Sequence, residues 1–190
     1  MSAKLPEFFA RMPAIALHDP LAQFLGASEG GRLEYSYVDA VKLTGHSCPT
    51  VAAAYLATLE ALERLYPGEL PERGAIRVEL RGALEEGVVG VVASVAGLIT
   101  GAAAEGGFKG IAGRFERRGL LAFEAAIDGD VRFTRTDTGA SVQVQLRHPA
   151  GMSTALHGAL RVALSPEATD AERAAFSRAW QARVEAMLAS

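Results

Sequence analysis

The run Gly45-His46-Ser47-Cys48-Pro49-Thr50 holds the residues best suited to chemistry. An imidazole and a thiol lie two positions apart, directly before a proline that can occupy the first position of a helix. A helix N-terminus carries free N–H groups and partial positive charge, which favour a thiolate at Cys48. His46 can then bind the same metal or act as base toward the thiol, and Gly45 permits a tight turn into the pair. Nitrogen and sulfur together suit zinc, at about 2.0–2.1 and 2.3 Å. They also suit iron, copper or nickel, because such donors do not select one metal. A haem held by His or Cys is a variant of the same chemistry.

Three readings stay open on these residues. In the first, His46 and Cys48 are ligands of a divalent transition metal, with His18 or a carboxylate completing the shell. In the second, Cys48 is the nucleophile of a metal-free thiol enzyme with His46 or His18 as base. In the third, the motif is structural in a non-catalytic scaffold or partner subunit. Asp39 and Lys42 stand upstream as groups that could orient His46. His148, before Pro149, and His157 read as surface histidines.

A second feature is the loop Gly106-Gly107-Phe108-Lys109-Gly110-Ile111-Ala112-Gly113. The consecutive backbone N–H groups of this loop, those of Gly107 and Gly110 among them, can cradle an anionic or small-molecule ligand together with the Lys109 ammonium. No Gly-Lys-Ser/Thr follows at P-loop spacing. Arg114, Arg117 and Arg118 form a basic cluster beside it, read as a solvated face or as part of an anion pocket.

The elements that must position these groups follow from periodicity. Asp19 and Pro20 start a short helix that Gly26 stops. Residues 32–38 alternate as a strand, whereas 39–48 show no period. Pro49 opens a long helix with Val51, Tyr55, Leu59, Leu62 and Tyr66 on one face, ended by Pro67-Gly68. Ile76, Val78 and Leu80 alternate as a half-buried strand. Leu120–Ala126, Val131–Thr136 and a run through Val142, Val144 and Leu146 read as strands joined by Asp-Gly and Thr-Gly turns. A short helix is expected over Thr154–Leu164. A long one follows, capped by Ser165-Pro166 or by Thr169 with Glu172, with Phe176, Trp180, Val184 and Leu188 packing in the core or a dimer. Helices mixed with antiparallel strands predict an α+β fold in a single domain over 1–190.

Composition narrows the function. The 190 residues carry a formal net charge of −3, which lacks the basic footprint of a nucleic-acid or anionic-membrane binder. One cysteine excludes an intrachain disulfide, a four-cysteine zinc site and a cysteine-held iron–sulfur cluster. No basic segment followed by a long apolar run opens the chain, so a cytoplasmic location is expected. The uncharged run 87–104 reaches the length of a membrane span. Most of it is glycine, alanine, serine and threonine, which contribute little transfer energy. A buried core helix over about 85–103 is the expectation.

Gly45-His46-Ser47-Cys48-Pro49 followed by a helix with small residues and Tyr55 resembles the FmdE-like proteins, a family named after one component of formylmethanofuran dehydrogenase. The likeness continues through Ile76–Leu80, Val88–Ile99, Thr100-Gly101…Gly107-Phe108-Lys109-Gly110 and Arg118-Gly119-Leu120-Leu121-Ala122-Phe123, covering about residues 36–135. It implies an α+β core, a homodimer, and a metal or reactive site at the histidine and cysteine. Typical members have a second cysteine where this chain has Ala102, and some carry a C-terminal zinc finger that one cysteine cannot build. The redox metal of formylmethanofuran dehydrogenase belongs to its other components, so the resemblance does not carry that activity.

Overall fold

The computed structural model describes residues 4–147 and 151–189. His148 and Pro149 lie outside them. A short 3-10 turn, Glu7–Arg11, leads into strand β1, Ile15–His18. Helix α1, Pro20–Phe24, follows at once, because Asp19 accepts from the N–H groups of Leu21 at 2.9 Å and Ala22 at 3.1 Å. Two of the N–H groups that helix geometry orphans are thereby satisfied.

β2, Arg32–Tyr35, pairs antiparallel with β1, setting Ile15 against Tyr35 and His18 against Arg32. The alternation predicted over 32–38 ends early because Ser36 and Asp39 form a capping box that starts helix α2, Tyr37–Thr44. α2 occupies most of the stretch that showed no period. Gly45 closes it in the left-handed conformation, φ 75°, which glycine adopts without steric cost.

Helix α3, Pro49–Leu65, runs through the middle of the molecule with Cys48 as its N-cap. Its buried face includes Ala52, Ala53, Ala54, Ala57 and Ala61, small enough for neighbours to approach closely. It packs against α2, against α4 (Val89–Thr100), and against the last helix, α6 (Asp170–Leu188). α3 and α6, with 17 and 19 residues, are the longest helices, as their periodicity predicts.

The second sheet is four-stranded in the order β4-β3-β5-β6, comprising Leu121–Ala122, Ile76–Leu80, Val131–Arg135 and Ser141–Val144. β3 lies parallel to β4 and antiparallel to β5. The strand expected over Leu120–Ala126 shrinks to two residues, and Glu124 turns at φ 55°. Helix α5, Thr154–Ala163, packs on α6. The arrangement is α+β, as the mixed pattern predicts.

The uncharged run forms a shorter helix than expected: α4 is 12 residues long, about 18 Å, against the roughly 30 Å of a bilayer core. Among the described residues no helix is long and apolar enough to cross a membrane. Val95 and Ile99 are fully buried and Val91 and Leu98 partly so. On α6 the expected stripe divides: Val184 and Leu188 are in the core, whereas Phe176 and Trp180 are half-buried.

A charged cluster ties α1, α4 and the glycine-rich loop together. The buried Asp19 carboxylate accepts from Arg73 Nη1 at 2.9 Å and from Arg117 Nη2 at 2.8 Å. Arg117, read with Arg114 and Arg118 as a solvated face or part of an anion pocket, is buried against Asp19 and so is not solvated, whereas Arg114 is exposed. The carboxylate sat in the sequence as a helix cap, and nothing local announced two distant arginines. Arg73 also donates to the carbonyls of Leu98 and Ile99 at the end of α4. Gly74, at φ 90°, leaves room for Arg117: a Cβ there would stand 1.6 Å from its Nη1.

Burial alone would raise the Asp19 pKa, but hydrogen bonds from Arg73 and Ala22 and the charges of both arginines outweigh it and hold it below its ordinary value of 3.8. A depressed carboxylate stabilises the fold above its unfolded-state pKa, and that stability is lost as pH falls through the folded-state value. Asp19→Asn is therefore expected to cost about 3 kcal/mol or more at neutral pH, since it strands two guanidiniums. Denaturant titration at neutral pH, and again below about pH 4, should show the difference from wild type narrowing in acid.

Candidate functional site

The His46-Ser47-Cys48 tripeptide bridges α2 and α3, and each of its residues is held differently. His46 Nδ1 lies 2.9 Å from the Thr44 carbonyl oxygen. A carbonyl only accepts, so Nδ1 is the donor and Nε2 is the ring nitrogen left for another partner. The single Thr44 hydroxyl proton is shared between the Ala40 carbonyl at 2.9 Å and the His46 carbonyl at 3.0 Å. The left-handed Gly45 lets the chain fold back for this exchange.

Ser47 is buried, its Oγ 3.0 Å from the Tyr37 hydroxyl. Its carbonyl accepts from Trp180 Nε1 at 2.9 Å, and Gln181 Nε2 reaches the same oxygen at 3.4 Å. Cys48 is a free, buried thiol at the N-cap of α3, and its side chain makes no capping hydrogen bond there. Beside the tripeptide a cleft of about 240 Å³ opens between α2 and α4, lined by Leu43, Thr44, His46, Gly90, Val91 and Ser94.

Tyr37 supports the tripeptide from beneath. Its ring stands edge-on to Phe9 and Tyr55, with centroids 5.1 and 5.7 Å away. Burial pushes its phenol up to about 12; the Ser47 hydrogen bond pulls the other way, and the neighbouring Cys48 adds to the rise. Tyr37 is therefore a neutral hydrogen-bonding group at physiological pH rather than a base.

The other predicted site residues lie elsewhere. His18 Nε2 is 2.7 Å from Gln23 Oε1. Its backbone N–H donates to Pro71 and its carbonyl accepts from Arg73, the residue that caps the C-terminal end of α4. His46 faces the N-terminal end of α4, at Gly90 and Val91. Val91 to Leu98 spans about 10 Å of helix axis, so the structure does not bring His18 to the His46–Cys48 pair. Among the described residues, no three His, Cys, Asp or Glu side chains converge as a metal-holding group.

The glycine-rich loop also leaves the C-terminal end of α4, with Lys109 exposed. Two of its glycines serve close packing: a Cβ at Gly110 would stand 2.3 Å from the Arg114 carbonyl oxygen, and one at Gly107 would stand 2.7 Å from Ala103 Cβ, whereas Gly106 and Gly113 face open space. His157 is exposed on α5, with Nδ1 3.2 Å from the Ser153 carbonyl. Asp39 is committed to the α2 cap.

Sequence reasoning located the tripeptide but missed what holds it. Thr44, Tyr37 and Gln181 gave no motif, and Trp180 was read only as packing. No family model matches the chain, and no curated protein or solved structure matches it.

The raised phenols give a testable alkaline behaviour. Burial also raises Tyr55 and Tyr66 above the ordinary value of 10.0. A raised acid holds its proton in the fold after the unfolded chain has lost it, so stability is full below about pH 10 and falls above it. Ultraviolet titration of the native protein should show tyrosinate forming late and together with unfolding. Tyr37→Phe should reduce that alkaline sensitivity and lower neutral stability by about 1–2 kcal/mol, because Ser47 Oγ loses its partner.

Proposed function

We propose that the chain is an FmdE-like metal-binding protein in which His46 Nε2 and Cys48 Sγ are ligands of one divalent transition metal, zinc above others. The observation that supports this best is the Nδ1 contact to the Thr44 carbonyl. A metal-ligating histidine characteristically gives its other ring proton to a carbonyl or carboxylate, which fixes the tautomer and the ring. Cys48 adds a thiol free of capping duty on the next element. When bound, such a metal would supply Lewis acidity or an activated water. With two protein ligands, the rest of the shell falls to solvent, a small-molecule ligand or a second copy of the chain.

The cytoplasm suits the lone thiol, since it keeps cysteine reduced. His18, Lys109, Gly107 and Gly110 are not among the ligands of this proposed site. The test is elemental analysis of protein purified without added metal. Near-stoichiometric zinc-class metal is expected in wild type and in His18→Ala and His157→Ala, with most of it lost in Cys48→Ser and His46→Ala. Equal content in all of these proteins would defeat the proposal. Rapid alkylation of Cys48 in metal-free protein that is active would favour the thiol reading instead.

The same reading includes a homodimer formed over the cleft rim. Leu43, Leu84 and Val88 are 48%, 55% and 45% exposed, and Leu84 packs on Gly90 in the cleft wall. Covering this rim with a second copy would bury the apolar surface and bring further groups to His46. Light scattering at micromolar concentration should give twice the 20.0 kDa chain mass, reverting toward the chain mass in Leu84→Glu. A wild-type mass equal to that of one chain would overturn it.

A further inference from the structure

We infer that Trp180 is a positioning residue for the His46–Cys48 pair, acting through its indole N–H on the Ser47 carbonyl. This rests on the metal reading above. The peptide group after Ser47 joins the residue between the two donors to Cys48 itself, so its orientation sets where the thiol points relative to the imidazole. Three of the contacts that fix the tripeptide are local: Thr44 to His46 twice, and Tyr37 to Ser47. The remaining pair reaches across 133 and 134 residues of chain, from Trp180 and Gln181. Of these, Trp180 makes the bond of ordinary length, 2.9 Å, while Gln181 stands at 3.4 Å.

The indole is held in turn. Phe176 lies one turn earlier on α6 with its ring centroid 5.9 Å from that of Trp180. Val184, one turn later, is fully buried in the core. α6 thus offers a donor whose position is set by packing, rather than a side chain free to follow the loop. Without the N–H, the Ser47 carbonyl keeps only the longer Gln181 contact, and the peptide can rotate away from the orientation that serves both donors.

Cobalt(II) is the probe, because thiolate ligation gives it a charge-transfer absorption and its ligand-field bands report geometry. Wild type, Trp180→Phe and Cys48→Ser are titrated with cobalt alone. The expected result is a thiolate band in wild type, none in Cys48→Ser, and about tenfold weaker binding with altered ligand-field bands in Trp180→Phe. A purely structural role would lower the unfolding temperature of the metal-free variant yet leave its cobalt spectrum and affinity as in wild type, and that result overturns the inference alone. A wild type with no thiolate band, or a Cys48→Ser protein that retains it, overturns the metal reading and the inference with it. Should Trp180→Phe fail to fold, wild type still decides. Trp180 is the chain's one tryptophan, so its emission must be quenched along the same isotherm as the thiolate band, and unquenched emission overturns the inference.

Discussion

A carboxylate buried between two guanidiniums is costly to build and costly to break. Asp19 can sit in the interior only because Arg73 and Arg117 reach it from segments 54 and 98 residues away, and because the α1 backbone donates to it as well. Each of those partners then has little freedom to be anywhere else. The excess positive charge is taken up in part, although Arg117 Nη1 is buried with no hydrogen-bond partner. Arg73 also meets the carbonyls that end α4, where the helix carries partial negative charge. One ionic cluster therefore fixes the start of α1, the end of α4 and the base of the glycine-rich loop.

Pinning α4 at its C-terminal end has a consequence at the other end. Val92, Val95 and Ile99 are buried among α3 and the sheet, so the helix acts as a rigid bar. Its first turn forms one wall of the cleft beside His46. The width of that cleft depends on where α2 ends, and α2 ends where Gly45 turns back toward Thr44. Charge at one end and glycine stereochemistry at the other thus share in shaping one small opening.

What could be read in the sequence was local. Pro49 after Cys48, Thr169 three before Glu172, and Asp19 before Pro20 each announced a helix start, because a cap and its helix are neighbours in the chain. The alternation of Ile76, Val78 and Leu80 announced β3 for a similar reason. β1 was not legible, since four residues are too few to show a period, and β4 was legible only as a longer strand over Leu120–Ala126, since its pairing with β3 sets where it stops. α2 was hidden by a short amphipathic stretch whose capping box, Ser36 with Asp39, followed directly on a strand. At the site, the tripeptide was visible and its supports were not. Tyr37 and Trp180 differ from ordinary core aromatics only by the polar atom each aims at Ser47, and that aim is a property of packing. Arg117 is the clearest case of reversal: within a basic run it looks like a solvated charge, and only the distant Asp19 draws it inside.

The bond from Trp180 to Ser47 also has an order in time. A ribosome adds about 5–20 residues each second, so the indole emerges on the order of ten seconds after the carbonyl it will bind. Throughout that interval the Ser47 carbonyl has no partner from α6, and the turn between α2 and α3 is held by local contacts alone. Completion of α6 is then the step that closes this turn, so the peptide between α2 and α3 takes its final orientation only after more than a hundred further residues have been made.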